Sequence, residues 1–447
     1  MKAFHAYDIR GIYNTDFNKE DVYKIGFFLP ELLNTNKILV GRDVRVSSSE
    51  VFEYLCKGIN DAGADVYNLG LATTPFVYWV TAKYNFKASV QITASHNPKE
   101  YNGLKVSREN ALPVGFDTGL GDLKNMIETK SVKVSAQKGK IVEFDVKDAY
   151  LDFQRQYLSD VSNLNIAIDC SNGMAALFIK DILKDAPHYL YSELDGTFPN
   201  HEPNPLIESN VEDLKTFVKK EKCDIGIIFD GDADRVMFVD ENGKFISPDL
   251  IIGLMAHYFI EKKGLKGNVL QDIRTSKAVA EYIQKFGSTM YMWKVGRAFA
   301  ALKLREIDGI YGGELAGHYY FKDFYYSDSG IMAALIVLEI ISRKKREGIS
   351  FSELISCIEK YANSGEINFK INHKKEAMEA VRNFFTQKED PTAIYDFDGY
   401  RIEYPDWWFN IRPSNTEPYL RLLAEAKTPE MLEQKVKQIK KIISKFD

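Results

Sequence analysis

Three hydrophobic runs, each ending in aspartate with a glycine at or beside its end, constrain this chain more than any other feature. They are Lys37-Ile38-Leu39-Val40-Gly41-Arg42-Asp43, Asn165-Ile166-Ala167-Ile168-Asp169 leading to Gly173, and Asp224-Ile225-Gly226-Ile227-Ile228-Phe229-Asp230 leading to Gly231. Short apolar runs bounded by turn residues read as buried strands. The first leads into Ser47-Ser48-Ser49-Glu50, which reads as a capping box. An apolar helical stripe of Val51, Phe52, Leu55, Cys56 and Ile59 follows, with Gly63 just past its end. Strand then helix, repeated, predicts an α/β fold. A chain of 447 residues is too long for one core, so the three units predict three similarly built domains, although no fixed period can be counted.

Thr93-Ala94-Ser95-His96-Asn97-Pro98 follows another strand-like run, Lys87 to Ile92, so Ser95 is expected at a strand's C-terminal end. Open α/β sheets place their ligands there. Two readings stay open. Ser95 caps a helix whose first turn holds Pro98, or it is an exposed nucleophile or phosphate carrier. The second needs a cation nearby, because a phosphoserine carries about −1.5 to −2 charge at neutral pH.

Asp230, Asp232 and Asp234 alternate at the end of the third run. Carboxylates about 4 Å apart repel by roughly 4 kcal/mol at an effective dielectric near 20, so three of them converge only around a cation. Oxygen-only ligands select a hard ion, and Mg²⁺ leaves positions for a phosphate. A Ca²⁺ EF-hand loop is the competing pattern, since Glu241 is twelfth counting from Asp230. It fails at the sixth position, where Arg235 replaces the turn glycine, and because a strand precedes the loop. The remaining alternative is a solvated acidic turn.

Composition narrows the function classes. A net charge of −5 argues against a nucleic-acid or anionic-membrane partner. The four cysteines, Cys56, Cys170, Cys223 and Cys357, form no C-x-x-C, so neither a disulfide scaffold nor a zinc site is expected, and a reducing cytoplasm fits. The N-terminus lacks the apolar core of a signal peptide. Gly330 to Ile341, the most apolar helix candidate, is interrupted by Glu339 and too short to span a bilayer. Phe198 to Pro205 holds three prolines and should be a rigid irregular connection in which His201 is structural. The basic run Arg343 to Arg346 is read as complementing a helix dipole. From about residue 365 the texture changes to strands near 399–404 and 419–426. A last helix follows, capped by Thr428 with Pro429 at its start and Leu432, Val436, Ile439 and Ile443 as its buried stripe.

Thr-Ala-Ser-His-Asn-Pro, Asp230-Gly231-Asp232-Ala233-Asp234-Arg235, Gly313-Glu314-Leu315-Ala316-Gly317-His318 and Arg412-Pro413-Ser414-Asn415-Thr416 occur in this order across nearly the whole chain. Together they resemble the α-D-phosphohexomutase family, in its phosphomannomutase/phosphoglucomutase branch. The resemblance implies three similar α/β domains and a C-terminal α+β domain around a central cleft, expected at 1–147, 148–247, 248–364 and 365–447. It implies a reversible phosphoryl transfer between the 1- and 6-positions of mannose or glucose phosphates, through phospho-Ser95 and a hexose 1,6-bisphosphate that also serves as activator. Mg²⁺ would be held by Ser95, Asp230, Asp232 and Asp234, with Arg235 beside them. Lys105 is the first candidate for acid/base work, helped by Arg10 and His96; a base lysine needs a lowered pKa, and a plain surface lysine is the alternative. Tyr7 and Arg10 would form part of the site's wall.

Glu314 would accept the C3 and C4 hydroxyls, leaving C2 unread, with His318 in the same loop. Two residues depart from the common pattern: Ala316 stands where many members have serine, and Arg297, assigned to substrate, stands where histidine is frequent. Arg412, Ser414, Asn415, Thr416 and Arg421 would bind the phosphate that is not reacting, a role that guanidinium and hydroxyl donors suit. Asn415 favours this branch over phosphoglucosamine mutases, which usually carry glycine there. A phosphoglucosamine mutase, a Mg²⁺-dependent sugar-phosphate phosphohydrolase and a non-catalytic sugar-phosphate binder are the rivals. The expected partners are small hexose phosphates, with no nucleic acid or membrane, acting on a cytoplasmic monomer or small homo-oligomer.

Overall fold

The computed structural model describes residues 2–414 and 419–446, and its chain forms four sheets of six, five, five and six strands. In the first sheet, Lys37–Arg42 lies between Asp65–Leu71 and Ala88–Ile92, parallel to both. Tyr101–Arg108 then returns antiparallel between Ala88–Ile92 and Ile9–Ile12. Every residue of Ala88–Ile92 is buried, as a strand covered on both faces requires. In the second sheet Ile166–Asp169 and Ile225–Phe229 are parallel neighbours, and Val236–Asp240 doubles back on the latter. The third is built on parallel Asn268–Asp272, Thr289–Trp293 and Tyr311–Gly313.

The fourth sheet is different in kind: Tyr400–Glu403, Trp407–Pro413 and Leu420–Ala426 are antiparallel neighbours. Helices Lys374–Lys388 and Pro429–Ile443 supply Val381, Phe385, Ile439 and Ile443 to its core. This is the expected four-domain architecture, three α/β domains followed by an α+β domain.

The domains share cores. Phe76, in helix Thr74–Lys83 of the first, packs on Tyr150 and Phe178 at ring separations of 4.9 and 5.1 Å. Helix Gly330–Arg346 is buried from end to end until its basic last turn. There Arg343 and Lys344 pair with Glu261, Lys345 with Asp224, and Arg346 with Asp160, so the run serves ion pairs as well as the helix dipole. Among the described residues no helix is long and apolar enough to cross a membrane. At the seam between the third and fourth domains Glu425 accepts hydrogen bonds from Ser276, Trp408 and Asn363, and burial pushes its pKa up to about 7.

Two local expectations are corrected. Ser47 makes no side-chain cap. Instead the Asn102 amide donates to the Ser47 and Ser48 hydroxyls at 2.8 and 3.1 Å, and Ser48 donates to Asp43, so these serines fasten the strand that carries Lys105. Ser95 caps no helix, because the chain turns through Pro98 directly into strand Tyr101–Arg108. His201 is held by buried Asp169 at 3.1 Å, in the structural role expected of it.

Candidate active site

Strand ends from three sheets supply the centre of the cleft: Ser95 follows Ile92, Asp230 follows Phe229, and Glu314 follows Gly313. Ser95 is buried at φ +51° and donates its hydroxyl to Asp230 Oδ2 at 2.8 Å. Gly231 makes this approach possible, since a Cβ there would sit 2.6 Å from the Ser95 carbonyl oxygen. His96 Nδ1 is 3.3 Å from Ser95 Oγ, and burial together with Arg235 and Arg10 keeps this imidazole neutral, well below its usual pKa.

The nucleophile loop is shaped by Arg45, a residue that sequence reasoning passed over. Its Nη2 donates to the Ser95 and Asn97 carbonyls at 2.8 and 2.6 Å, and its Nη1 to those of Pro98 and Tyr101 at 2.6 and 3.2 Å. Asp43 balances the charge at 3.2 Å from Nε. Nothing in Gly41-Arg42-Asp43-Val44-Arg45 marks which arginine turns inward. Because four acceptors need the planar fork and a charge-assisted bond is worth about 1.5–3 kcal/mol, Arg45→Lys is expected to cut turnover about tenfold to hundredfold. Hydrogen exchange at residues 95–101 should rise with it. Unchanged turnover and exchange would show that the loop holds itself.

Asp230, Asp232 and Asp234 are buried and bring their oxygens within 4.8 Å of one another. Lys105 Nζ lies 2.7 Å from Asp232 Oδ2 and 2.5 Å from Asp234 Oδ2, and Thr74 donates to the same Asp232 oxygen at 2.5 Å. Asp232 Oδ1 and Asp234 Oδ1, although buried, have no hydrogen-bond partner among the described residues. Two orphaned carboxylate oxygens beside the Ser95 hydroxyl fit a hard divalent cation. Burial first, then Asp234 and Asp232, drives the Asp230 pKa well above the usual carboxylate range, which reflects negative charge without enough cation. Lys105 behaves oppositely to the lowered pKa that a base requires. Burial acts to lower it, but Asp232 and Asp234 together raise it above the ordinary lysine value, so it stands here as a cation.

Arg235 of the second domain and His318, Asp328 and Arg297 of the third form a chain that reaches the first domain at its far end. Arg235 Nε donates to His318 Nε2 at 2.9 Å, and His318 Nδ1 bonds Asp328 Oδ2 at 2.6 Å. Arg297 donates to Asp328 Oδ1 at 3.1 Å and to the Ala111 carbonyl at 3.0 Å, with its guanidinium 3.6 Å over the Tyr78 ring. The Arg297 side chain expected to face substrate is thus occupied in joining the third domain to the first. Both ring nitrogens of His318 are likewise engaged.

Glu314 Oε1 accepts from Tyr320 at 2.9 Å and from the Gly296 amide at 3.1 Å, and burial raises its pKa. Ala316, half-buried in the same loop, brings no hydroxyl. Around the rim, Arg10 donates to Asn97 at 2.7 Å and to Asp8 at 2.5 Å, while the Tyr7 hydroxyl reaches the Val295 carbonyl at 3.4 Å. The Val295 amide donates to Asp398 Oδ2 at 3.0 Å, and Arg412 Nε to Asp398 Oδ1 at 3.0 Å. Arg412 Nη2 is buried without a hydrogen-bond partner among the described residues. Arg421 pairs with Glu366 at 3.2 Å. Ser414 is the last described residue before a gap; Asn415 and Thr416 lie outside the described residues. Thr74, Asp328 and Asp398 joined the site unannounced, since each acts through a partner more than ten residues away or on another domain.

Family models match this chain in four consecutive blocks. Those of phosphoglucomutase/phosphomannomutase alpha/beta/alpha domains I, II and III match residues 1–131, 148–243 and 247–361, and that of the C-terminal domain matches 366–442. A phosphomannomutase of Methanocaldococcus jannaschii is 35% identical over 453 residues, covering 100% of this chain and 98% of its own length. One from Escherichia coli K12 is 36% identical over 441 residues, with 96% and 95% covered. A crystal structure of a phosphoglucomutase/phosphomannomutase family protein from Burkholderia thailandensis is similar at a TM-score of 0.87 and 26% identity, covering 99% of this chain and 97% of that one. With a strand-end serine facing an acidic triad and all four domain types matched in order, the chain belongs to the phosphoglucomutase/phosphomannomutase family of phosphohexomutases.

Proposed function

We propose that this chain is a mutase that moves a phosphoryl group between the 1- and 6-positions of mannose or glucose phosphates, with Ser95 as its covalent carrier. The observation that carries this reading is the Ser95 hydroxyl 2.8 Å from Asp230, within a triad that leaves two buried oxygens without a hydrogen-bond partner among the described residues. In the first half-reaction the P–O bond at phospho-Ser95 breaks and one to a sugar hydroxyl forms. The proton leaving that hydroxyl is balanced by one taken up at Ser95 Oγ. The 1,6-bisphosphate then turns around, and the same events run in reverse at the other phosphate. Asp230, Asp232, Asp234 and the phosphoserine would hold Mg²⁺, which when bound supplies positive charge to the transferring group. Lys105 adds a fixed cation to that group's surroundings, and Arg45 holds the serine's backbone in place. Glu314 Oε2, whose partner oxygen is already committed, suits sugar hydroxyls. Three buried, unpaired cysteines and an exposed fourth support a reducing, cytoplasmic setting.

Side-by-side assays on mannose 1-phosphate, glucose 1-phosphate and glucosamine 1-phosphate, with inorganic phosphate followed in parallel, test the reading. Turnover on mannose or glucose well above glucosamine, without phosphate release, is expected. Stoichiometric phosphate release would make the protein a phosphohydrolase instead.

Arg412 offers a second test. If its unpartnered Nη2 binds the phosphate that is not reacting, that phosphate is at position 6 in one half-cycle and position 1 in the other. Arg412→Ala is therefore expected to lower kcat/KM about tenfold to hundredfold in both directions, the loss of one charge-assisted bond of about 1.5–3 kcal/mol. Unchanged kcat/KM in both directions would remove Arg412 from the phosphate site.

A further inference from the structure

A cavity of about 1140 Å³ opens in the first domain, away from the acidic triad. It lies where Lys37 and Lys87 lead into strands Lys37–Arg42 and Ala88–Ile92. Ser95 follows the opposite end of the second strand. At about 3.3 Å per residue, the six residues from Lys87 to Thr93 put roughly 20 Å between this cavity and the nucleophile loop. Its volume is slightly above the roughly 300–1,000 Å³ usual for small-molecule sites.

The walls are aromatic and mutually braced. Tyr67, Phe86 and Phe144 form a closed triangle with ring separations of 5.2, 5.7 and 5.5 Å, and Tyr84 meets Phe144 edge-on at 5.3 Å. Tyr84 is nonetheless 38% exposed, an apolar surface that the fold leaves uncovered. Such braced rings offer edges and faces to a flat ligand without having to be ordered first.

The charge at this cavity runs against that of the whole chain. Four lysines line it, Lys37, Lys87, Lys130 and Lys133, against a single acid, Glu31. Glu31 is taken by Lys130 at 2.6 Å. Lys37, Lys87 and Lys133 have no ion pair among the described residues, and Lys37 stands 5.8 Å over the Tyr67 ring. A protein of net charge −5 thus gathers three uncompensated cations around one aromatic recess.

We propose that this recess is a second ligand site, distinct from the catalytic cleft, for a planar aromatic anion bearing at least two negative charges: the chemistry of a nucleotide. The rings would take the planar body by stacking and edge contacts, and the free lysines its phosphates.

Equilibrium dialysis of the full-length protein with labelled ADP, at fixed excess Mg²⁺, tests the proposal, with adenosine and inorganic tripolyphosphate as separate probes. Saturable binding of one ADP per chain is expected, tighter than either probe by tenfold or more and undisturbed by saturating mannose 1-phosphate. The exposed double variant Lys87→Glu/Lys133→Glu should weaken ADP binding at least tenfold while leaving mutase turnover unchanged. No saturable ADP binding would overturn the proposal. So would displacement by mannose 1-phosphate, which would assign the ADP to the catalytic cleft, or tripolyphosphate binding as tightly as ADP, which would reduce the recess to a cationic patch. Equal ADP affinity in the double variant would also overturn it.

Discussion

Ser95→Ala is expected to lower mutase turnover by about 10³ or more, a loss of at least about 4 kcal/mol of transition-state stabilisation, while the fold survives. The size follows from the role: a carrier with no oxygen can neither hold nor return a phosphoryl group, and among the described residues no other hydroxyl shares its hydrogen bond to Asp230. Thr74 points to Asp232 instead. The fold survives because the strain at this position is already present. Serine adopts φ +51° here, and alanine, with the same Cβ, meets the same steric cost. The loop is fastened through carbonyls to Arg45, which the substitution leaves alone. Circular dichroism and Tm should stay near wild type while kcat collapses; retained turnover would remove Ser95 from the chemistry.

Asp232→Asn is expected to cut kcat by about 10²–10³ and to weaken Mg²⁺ binding, since electrostatic stabilisation is usually the largest single contribution in such a site. It removes one of three converging negative charges and half of the counter-charge on Lys105. A readout free of turnover follows from the same charges. Mg²⁺ binding to the folded state alone stabilises it by about 2.7 kcal/mol at a concentration 100 times Kd, so Tm of the wild type should rise with Mg²⁺. In the variant that rise should shrink or vanish, while Tm without metal stays level or increases because carboxylate repulsion has been relieved. An unchanged Mg²⁺-dependent rise would place the metal elsewhere.

What was legible in the sequence was chemistry carried by neighbours in the chain. Asp230, Asp232 and Asp234 announce a cation site because their alternation at a strand end leaves them few other ways to coexist. The buried runs before Ser95 and Asp230 announce strands, and Thr428-Pro429 a helix start that the structure honours with a bond to the Met431 amide. What stayed hidden was set by distant partners. Arg45 and Arg42 look alike until the fold brings the Ser95 to Tyr101 carbonyls to one of them. Ser47 has every local mark of a cap, but Asn102 claims its hydroxyl from another strand. Pro98 would suit a helix start, yet pairing with Ala88–Ile92 draws the chain into an antiparallel strand. Arg297 reads as a substrate cation until Asp328, Ala111 and Tyr78 surround it.

The central claim is that Ser95 carries the phosphoryl group through each turnover. Incubating the protein with radiolabelled hexose 1,6-bisphosphate, mapping the labelled peptide and then adding unlabelled mannose 1-phosphate tests it most directly. The account predicts label on the peptide containing Ser95, approaching one per chain, and its loss into sugar phosphate at a rate no slower than turnover. Turnover with no label on that peptide, or label on Ser95 that substrate does not remove, would contradict it.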